Sequence, residues 1–177
     1  LSQKNGDVDG KTFKDKTIIL EDNIVLESDY KLIKTFSGVF DGNNKIIKLN
    51  KPEEYNGNYL GGAIFNVITG KNAKVSDLNV DGTAYIAGIA IKLENYAVIS
   101  NCNNYATITS PIATSVPECG GIVGELSNEG FIKNCKNEGT ITYNSTNNKG
   151  CGGIVGIISS WSAPGVGNSS DFGNSII

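Results

Sequence analysis

The chain lacks several residue types that carry common enzyme chemistry. Its 177 residues include no His and no Met, and all fifteen basic residues are Lys, so there is no Arg. Without His there is no Ser–His or Cys–His nucleophile pair, no HExxH zinc site and no imidazole general base. Without Arg there is no planar fork for bidentate binding of phosphate or carboxylate groups. The sequence therefore predicts a chain that is not an enzyme and that uses no cofactor.

Strong charge and long apolar runs are also missing. The formal net charge is only -3, whereas nucleic-acid binding needs clustered positive charge, so no nucleic-acid partner is predicted. No run approaches the roughly 18 apolar residues of a membrane span, so none is predicted in this segment. With 39% hydrophobic and 19% charged residues, the composition is that of a soluble globular protein. The first ten residues, LSQKNGDVDG, contain no Met and no apolar signal core, which predicts an excised or processed piece of a longer protein.

A repeat occupies the second half of the chain. The motif CGGIVG occurs at Cys119 and again at Cys151, and related segments begin at Gly62 and Gly88. Counted from the matching glycines at 62, 88, 121 and 153, the copies begin 26, 33 and 32 residues apart. Self-similarity at this period is typical of solenoids and repeat arrays.

Each copy contains short β-branched runs bounded by Gly and Asn, without a sustained helical stripe, which indicates strands. One copy cannot bury its own apolar face, but stacked copies can build a continuous interior from parallel strands about 4.8 Å apart. Equivalent residues should then form inward ladders. The predicted ladders are Ile99, Ile132 and Val166; Leu78, Cys102, Cys135 and Ser169; and Ile64, Ala90, Val123 and Val155.

The first sixty residues fit the same architecture, but their sequence pattern is less regular. Phe36 and Phe40 precede an Asp-Gly-Asn turn in which Gly42 and Asn43 can take positive φ. Residues 1–15 are polar and are expected to cap the N-terminal end, and residues 62–177 supply four repeat coils. No linker divides the chain, so a single domain over residues 1–177 is predicted.

The segment FSGVFDGNNKIIKLN, followed by copies of GGIVG and I.NC.N.G.I, resembles the GLUG-type repeats of bacterial surface proteins. Such repeats include non-catalytic regions associated with IgA-cleaving metallopeptidases and with adhesin-like proteins. The resemblance covers residues 35–177 and departs from the pattern in the first copy, where Phe65 replaces a Gly. It implies an all-β, right-handed parallel β-helix (β-solenoid) of about five to six coils at the cell surface. It carries no catalytic residue onto this chain.

Two acidic groups are candidate sites. Asn5, Asp7 and Asp9 alternate like the start of a calcium loop, but Lys16 stands where such a loop needs Glu, so a polar turn is favoured. Asp77 and Asp81 are a candidate acid pair of the kind that polysaccharide-cleaving enzymes use. The positions that match Asp77 are Asn101, Asn134 and Asn168. An amide ladder is therefore predicted at this column rather than an acid cluster.

Aromatic residues with a polar tip suit recognition surfaces. Tyr96, Tyr105 and Trp161 are the candidate ligand-binding residues, although they are scattered through predicted loops.

The four cysteines, Cys102, Cys119, Cys135 and Cys151, are an even number, as in disulfide-bonded secreted proteins. Matched cysteines would stack in register on parallel strands and point the same way, whereas a disulfide needs the sulfurs to turn towards each other. Four free and poorly accessible thiols are therefore predicted.

Two functions remain in view. The favoured one is a non-catalytic surface module, a rigid spacer or adhesion face of a larger secreted or wall-attached bacterial protein. Its partner would be a host or cell-surface protein or a glycan, and its localisation extracellular or at the cell surface. The alternative is a carbohydrate-active β-helix, a polysaccharide lyase or hydrolase. No cap follows Ile177, so end-to-end self-association through the last coil is also expected.

Overall fold

The structure is a computed structural model that describes residues 12–51, 62–110, 118–143 and 150–159. Within these ranges the chain forms short strands and no helix, because Gly, Asn and Asp interrupt its β-branched runs every few residues. In chain order the strands are β1 (Thr17–Ile19), β2 (Ile24–Leu26), β3 (Ile33–Phe36), β4 (Val39–Asp41), β5 (Ile46–Asn50), β6 (Phe65–Thr69), β7 (Lys74–Ser76), β8 (Asn79–Ala84), β9 (Ala90–Glu94), β10 (Val98–Ser100), β11 (Asn103–Asn104), β12 (Thr107–Ser110), β13 (Cys119–Gly120), β14 (Val123–Ser127), β15 (Phe131–Lys133), β16 (Lys136–Asn137), β17 (Ile141–Tyr143), β18 (Cys151–Gly152) and β19 (Val155–Ser159).

These strands pair in parallel and build four sheets. The first sheet has the order β1-β4-β7-β10-β15, and the third has the order β3-β6-β9-β14-β19. The second sheet joins β2, β5, β8, β11, β12, β16 and β17, and β13 pairs with β18 in a small fourth sheet. The chain visits the first, second and third sheets in the same order on each pass, so neighbouring strands come from successive passes. The prediction of an all-β chain of stacked parallel strands is confirmed.

One inward column runs through the whole first sheet. It contains, in register, Ile18, Phe40, Val75, Ile99 and Ile132. The predicted pairing of Ile99 with Ile132 is confirmed, whereas Val166 and Ser169 lie outside the described residues. Among the described strands β15 forms an edge of this sheet, and Ile132 is only partly buried while Ile99 is fully buried.

The third sheet corrects one predicted ladder by a single residue. Val123 pairs with Ala90 and Val155 as predicted, but Ala90 pairs with Phe65 and not with Ile64. The backbone N–H groups of Ile64 and Phe65 both donate to the carbonyl of Ile89, at 3.1 and 2.9 Å. The same paired donation recurs in the next pass, where Ile89 and Ala90 both donate to the carbonyl of Ile122, so Ile64 matches Ile89 and Phe65 matches Ala90. Alignment on glycines alone did not show this offset.

Four phenylalanine rings fill the interior near the first passes. Phe65 lies 5.0 Å from Phe36 and 5.7 Å from Phe40 between ring centroids, and Phe13 lies 5.9 Å from Phe36. Phe36, Phe40 and Phe65 are buried. Tilted and edge-on ring pairs at these distances add to the free energy of burying the rings. The residue that departs from the repeat pattern, Phe65, is therefore an essential part of this core.

The turn between β4 and β5 contains the two residues predicted to take positive φ. Asn43 and Asn44 have φ of 48° and 57°, while Gly42 does not have positive φ. The prediction is thus confirmed for Asn43 and wrong for Gly42. A Cβ on Gly42 would lie 2.5 Å from the carbonyl oxygen of Asp77. Gly42 is needed for this close approach of two turns, since no Cβ fits there.

Candidate functional site

An amide ladder lies at the corner between the first and second sheets. The side-chain Nδ2 of Asn101 donates to Oδ1 of Asp77 at 3.1 Å, and Nδ2 of Asn134 donates to Oδ1 of Asn101 at 3.3 Å. All three residues have left-handed φ, between 51° and 55°, which Asn and Asp tolerate better than most residues. The predicted amide column is confirmed for these three positions, and Asn168 lies outside the described residues.

Asp77 and Asp81 each have a partner of their own. Asp77 accepts the hydrogen bond from Asn101, whereas Oδ1 of Asp81 accepts a hydrogen bond from the backbone N–H of Gly82 at 2.7 Å. Val80, Asn104 and Asn137 are paired in register on β8, β11 and β16. The next residue in each segment is exposed, and these residues are Asp81, Tyr105 and Glu138. The structure therefore assigns the two carboxylates to different columns.

A second amide pair lies inside the stack and was missed by sequence reasoning. Asn104 is fully buried in the inward column of the second sheet, and its Nδ2 donates to Oδ1 of Asn137 at 2.8 Å. The Asn104 amide also bonds the backbone of Ala106, accepting from N–H at 3.2 Å and donating to the carbonyl at 3.1 Å. The same two bonds join Asn137 to Gly139. The signal for this pair was the Asn that stands two residues after Cys in both copies, at Cys102 and Asn104 and at Cys135 and Asn137.

Two repeat glycines make room for these buried amides. A Cβ on Gly88 would lie 2.6 Å from Oδ1 of Asn104, and a Cβ on Gly121 would lie 2.4 Å from Cγ of Asn137. Distances below about 3.0 Å do not occur for real Cβ atoms. The repeated Gly and the repeated Asn are therefore a matched pair, which explains why both recur in successive copies.

A charged cluster occupies the outer face of the third sheet. Nζ of Lys92 lies 3.1 Å from Oε2 of Glu94 and 3.5 Å from Oε1 of Glu125, and the hydroxyl of Ser159 donates to Glu125 at 2.5 Å. Partial burial acts to lower the pKa of Lys92, but the hydrogen bonds and charges of the two glutamates outweigh it and raise the pKa. The lysine is therefore held as a cation that links neighbouring passes.

The two described candidate tyrosines lie at different turns. Tyr96 is about half exposed and stands between β9 and β10, while Tyr105 is similarly exposed and follows β11. A hydrogen bond to Glu129, followed by the negative charge of that carboxylate, raises the pKa of Tyr96. The third candidate, Trp161, lies outside the described residues.

The candidate calcium ligands Asn5, Asp7 and Asp9 lie outside the described residues. Across residues 12–51, 62–110, 118–143 and 150–159, no group of three or more His, Cys, Asp or Glu side chains is arranged to hold a metal ion. Over the same ranges, no helix has the length and apolar character to cross a membrane.

A mainly apolar cavity of about 420 Å³ opens beside β1 and β2. Its lining includes Ile18, Ile24, Leu26 and Phe40, members of the inward columns, together with Tyr30. The hydroxyl of Tyr30 donates to the carbonyl of Ile64 at 2.9 Å, and burial raises its pKa. The cavity therefore continues the interior of the stack.

The prediction of free thiols at Cys119 and Cys151 is wrong. The two residues are register partners on β13 and β18, with Cα atoms 4.6 Å apart, and a disulfide joins them. In-register side chains leave parallel strands in the same direction, but this shared direction does not exclude a disulfide. Adjacent parallel strands are spaced at a distance that a disulfide spans, so rotation of the side chains can bring the sulfurs together.

The prediction of free thiols is confirmed for Cys102, which is buried, and for Cys135, which is partly buried. Their thiols donate to the carbonyls of Ser100 and Lys133, at 3.2 and 3.3 Å. The neighbouring Cys135 side chain, together with burial, raises the pKa of Cys102, and the neighbouring Cys102 side chain lowers the pKa of Cys135. Cys135 is therefore the thiol of this pair that ionises first.

Comparison of the chain with protein-family models, with curated proteins and with solved structures gave no significant match. The likeness to GLUG-type repeats therefore rests on the sequence motifs alone.

Proposed function

We propose that this chain is a non-catalytic module of a secreted or wall-attached bacterial protein, in which it serves as a rigid spacer or as an adhesion face. The observation that carries the proposal is the unbroken register of the first and third sheets, each with five strands. At about 4.8 Å per step, five stacked strands span about 19 Å. A stack of this kind is stiff along its axis because every pass is bonded to the next.

The proposed architecture is a right-handed parallel β-helix of about five to six coils. The repeated visiting order of the three main sheets supports closed coils, since each pass returns to the sheet where it began. Connections between parallel strands are right-handed in nearly all known cases. The resemblance to GLUG-type repeats favours the same architecture.

Two features favour a non-catalytic role outside the cell. The most repetitive corner presents amides that bond one another, with Asp77 engaged by Asn101, and such ladders are typical of structural turns. The Cys119–Cys151 disulfide favours an oxidising compartment, where such bonds persist. The proposed partner is a host or cell-surface protein or a glycan.

The test against catalysis is incubation with acidic and neutral polysaccharides, measuring new reducing ends and unsaturated products. No turnover is expected from the wild-type chain. Asp77→Asn is a suitable probe because Asn occupies the matching positions in the next two passes, so the ladder is kept. Turnover that disappears in Asp77→Asn but persists in Asp81→Asn would overturn the proposal in favour of a carbohydrate-active enzyme.

The test between spacer and adhesion face is capture of the chain on arrays of glycans and extracellular-matrix proteins. Capture that falls in Tyr96→Ala or Tyr105→Ala, but not in the exposed control Phe131→Ala, would support an adhesion face at that tyrosine. Absence of capture on every surface would leave the spacer role as the proposed function.

A further inference from the structure

The remaining two cysteines face each other across successive passes. Cys102 lies between Ser100 and Asn103, which pair in register with Lys133 and Lys136. The N–H of Lys136 donates to the carbonyl of Cys102 at 3.0 Å, which ties the two cysteine segments together. Cys102 and Cys135 are therefore register equivalents one strand spacing apart, a separation of about 4.8 Å that lies within disulfide range.

The backbone on both sides of this pair is already held in place. The bond between Asn101 and Asn134 precedes the two cysteines by one residue, and the bond between Asn104 and Asn137 follows by two. Each amide rung fixes the distance between the same two passes. A bridge between the cysteines would need rotation of side chains and no shift of the backbone.

The chain itself supplies the precedent. Cys119 and Cys151 are also in-register cysteines on adjacent parallel strands, and they are joined. The sequence separation is 32 residues in that pair, and 33 in the second when counted from 102 to 135. Both pairs therefore occupy matching positions on adjacent parallel segments. Cys119 and Cys151 are joined, whereas Cys102 and Cys135 are free thiols.

We propose that Cys102 and Cys135 form a second disulfide site, which closes by exchange with a low-molecular-weight disulfide such as glutathione disulfide and opens with a thiol reductant. Cys135 is the attacking residue because it is partly exposed, while Cys102 is fully buried and resolves the intermediate. The pKa difference described above favours the same order, since the thiolate is the nucleophile.

The exchange takes place in two balanced steps. The Cys135 thiolate attacks one sulfur of the small disulfide, forms a mixed disulfide and releases one small thiolate. The Cys102 thiolate then attacks the Cys135 sulfur, forms the Cys102–Cys135 bond and releases the second small thiolate. The two protons from the protein thiols pass through water to the two released thiolates. The protein pair is oxidised, and one small disulfide is reduced to two thiols.

Closure would join two successive passes at a second place, because Cys102 and Cys119 lie in the pass from β10 to β14 and Cys135 and Cys151 lie in the pass from β15 to β19. The observed bridge links the segments at 119 and 151, and the proposed bridge links those at 102 and 135. The two closed loops interleave along the chain and share residues 119–135, so each bridge has one cysteine inside the loop that the other closes. The site would therefore lock the stack in an oxidising medium and loosen it in a reducing one.

The experiment incubates the folded full chain with glutathione disulfide and follows its intact mass, starting from protein that holds only the Cys119–Cys151 bond. Loss of one further hydrogen pair is expected. Cleavage after Lys and Glu then assigns the bond, because Glu118 separates Cys102 from Cys119 and Lys133 and Lys136 flank Cys135. The expected product is a peptide with Cys102 joined to one with Cys135. Full alkylation of both thiols after unfolding, or a bond from either residue to Cys119 or Cys151, would overturn the proposal.

Two single variants test the order of attack. Cys102→Ser should trap glutathione on Cys135, because no second thiol resolves the mixed disulfide. Cys135→Ser should take up glutathione at least about tenfold more slowly, since Cys102 is buried. Equal uptake by the two variants, or faster uptake by Cys135→Ser, would contradict the assigned roles. Because wild-type peptide mapping needs no substitution, the proposal remains testable even if a variant fails to fold.

Discussion

The early and late passes of this stack hold the same register by different means. In the second sheet the inward column begins with Ile24, Ile47 and Val80, and it continues with Asn104 and Asn137. Near the first passes the interior is filled by phenylalanine rings. In the later passes amides bond one another, and a disulfide joins two copies.

The passes therefore share the inward positions of their side chains, and they do not share the residue types that occupy those positions. Large rings gain free energy by filling volume and removing apolar surface from water. A buried amide is tolerated only where every donor and acceptor has a partner, and Gly88 and Gly121 provide the space for that. The late passes are consequently more alike in sequence, because directional bonds constrain residue type more than packing does.

The largest expected loss of stability comes from Ile99→Asp, which lies where the early passes meet the late passes. Ile99 is fully buried between Val75 and Ile132. An unpaired carboxylate there should cost several kcal/mol, against a total stability of about 5–15 kcal/mol, so the chain should fail to fold. Circular dichroism and soluble yield measure this.

The control is Lys133→Asp, whose side chain is exposed and which should fold normally. Ile132→Asp should fall between the two because Ile132 is only partly buried. Similar yields for all three variants would show that the register is wrong.

Phe36→Ala tests the aromatic side of the comparison. Removal of this buried ring leaves a cavity among Phe13, Phe40 and Phe65 and should cost about 3–5 kcal/mol of unfolding free energy. Phe131→Ala removes an exposed ring and should change stability by less than about 0.5 kcal/mol. Both values come from urea denaturation, and a small effect for Phe36→Ala would mean that the rings are not the support of the early passes.

The disulfide supports the late passes, and its loss should cost about 2–4 kcal/mol. The comparison is cleanest in a Cys135→Ser background, where the second cysteine pair cannot respond. In that background, a reductant should lower stability by the same amount as the double change Cys119→Ser and Cys151→Ser. A reductant that leaves the urea midpoint unchanged would argue against the bond.

The smallest expected loss of stability comes from replacing the amides, and the buried Asn104 should contribute more than the exposed Asn101. Asn104→Ala leaves the N–H and carbonyl of Ala106 without their side-chain partner and should cost about 1–3 kcal/mol. Asn101→Ala removes two hydrogen bonds at the exposed corner, where water can replace them, and should cost less than about 1 kcal/mol. Thermal denaturation of the two variants in parallel measures the difference, and a larger loss for Asn101→Ala would reverse the assignment of the inner ladder.

Much of the stack was predictable from repeat spacing and side-chain character. The pairing of Ile99 with Ile132, the ladder of Ala90 with Val123 and Val155, and the amides at Asn101 and Asn134 all follow from equivalent places in successive copies. The one-residue offset at Phe65 did not follow, because Gly62 was matched with Gly88, whereas the backbone hydrogen bonds place Ala63 at that position. The inner amide at Asn104 was missed because a polar residue in a strand is ordinarily read as exposed.

The sequence by itself determined that the strands are short, parallel and stacked, because a repeat of this length with Gly and Asn between β-branched runs can bury its apolar side only against its own copies. Only the tertiary structure decided which polar side chains lie inside and which cysteines are joined. Those outcomes depend on distances of a few ångströms between residues in different passes. Hydrogen bonds and disulfides require such distances, and residue spacing along the chain does not specify them.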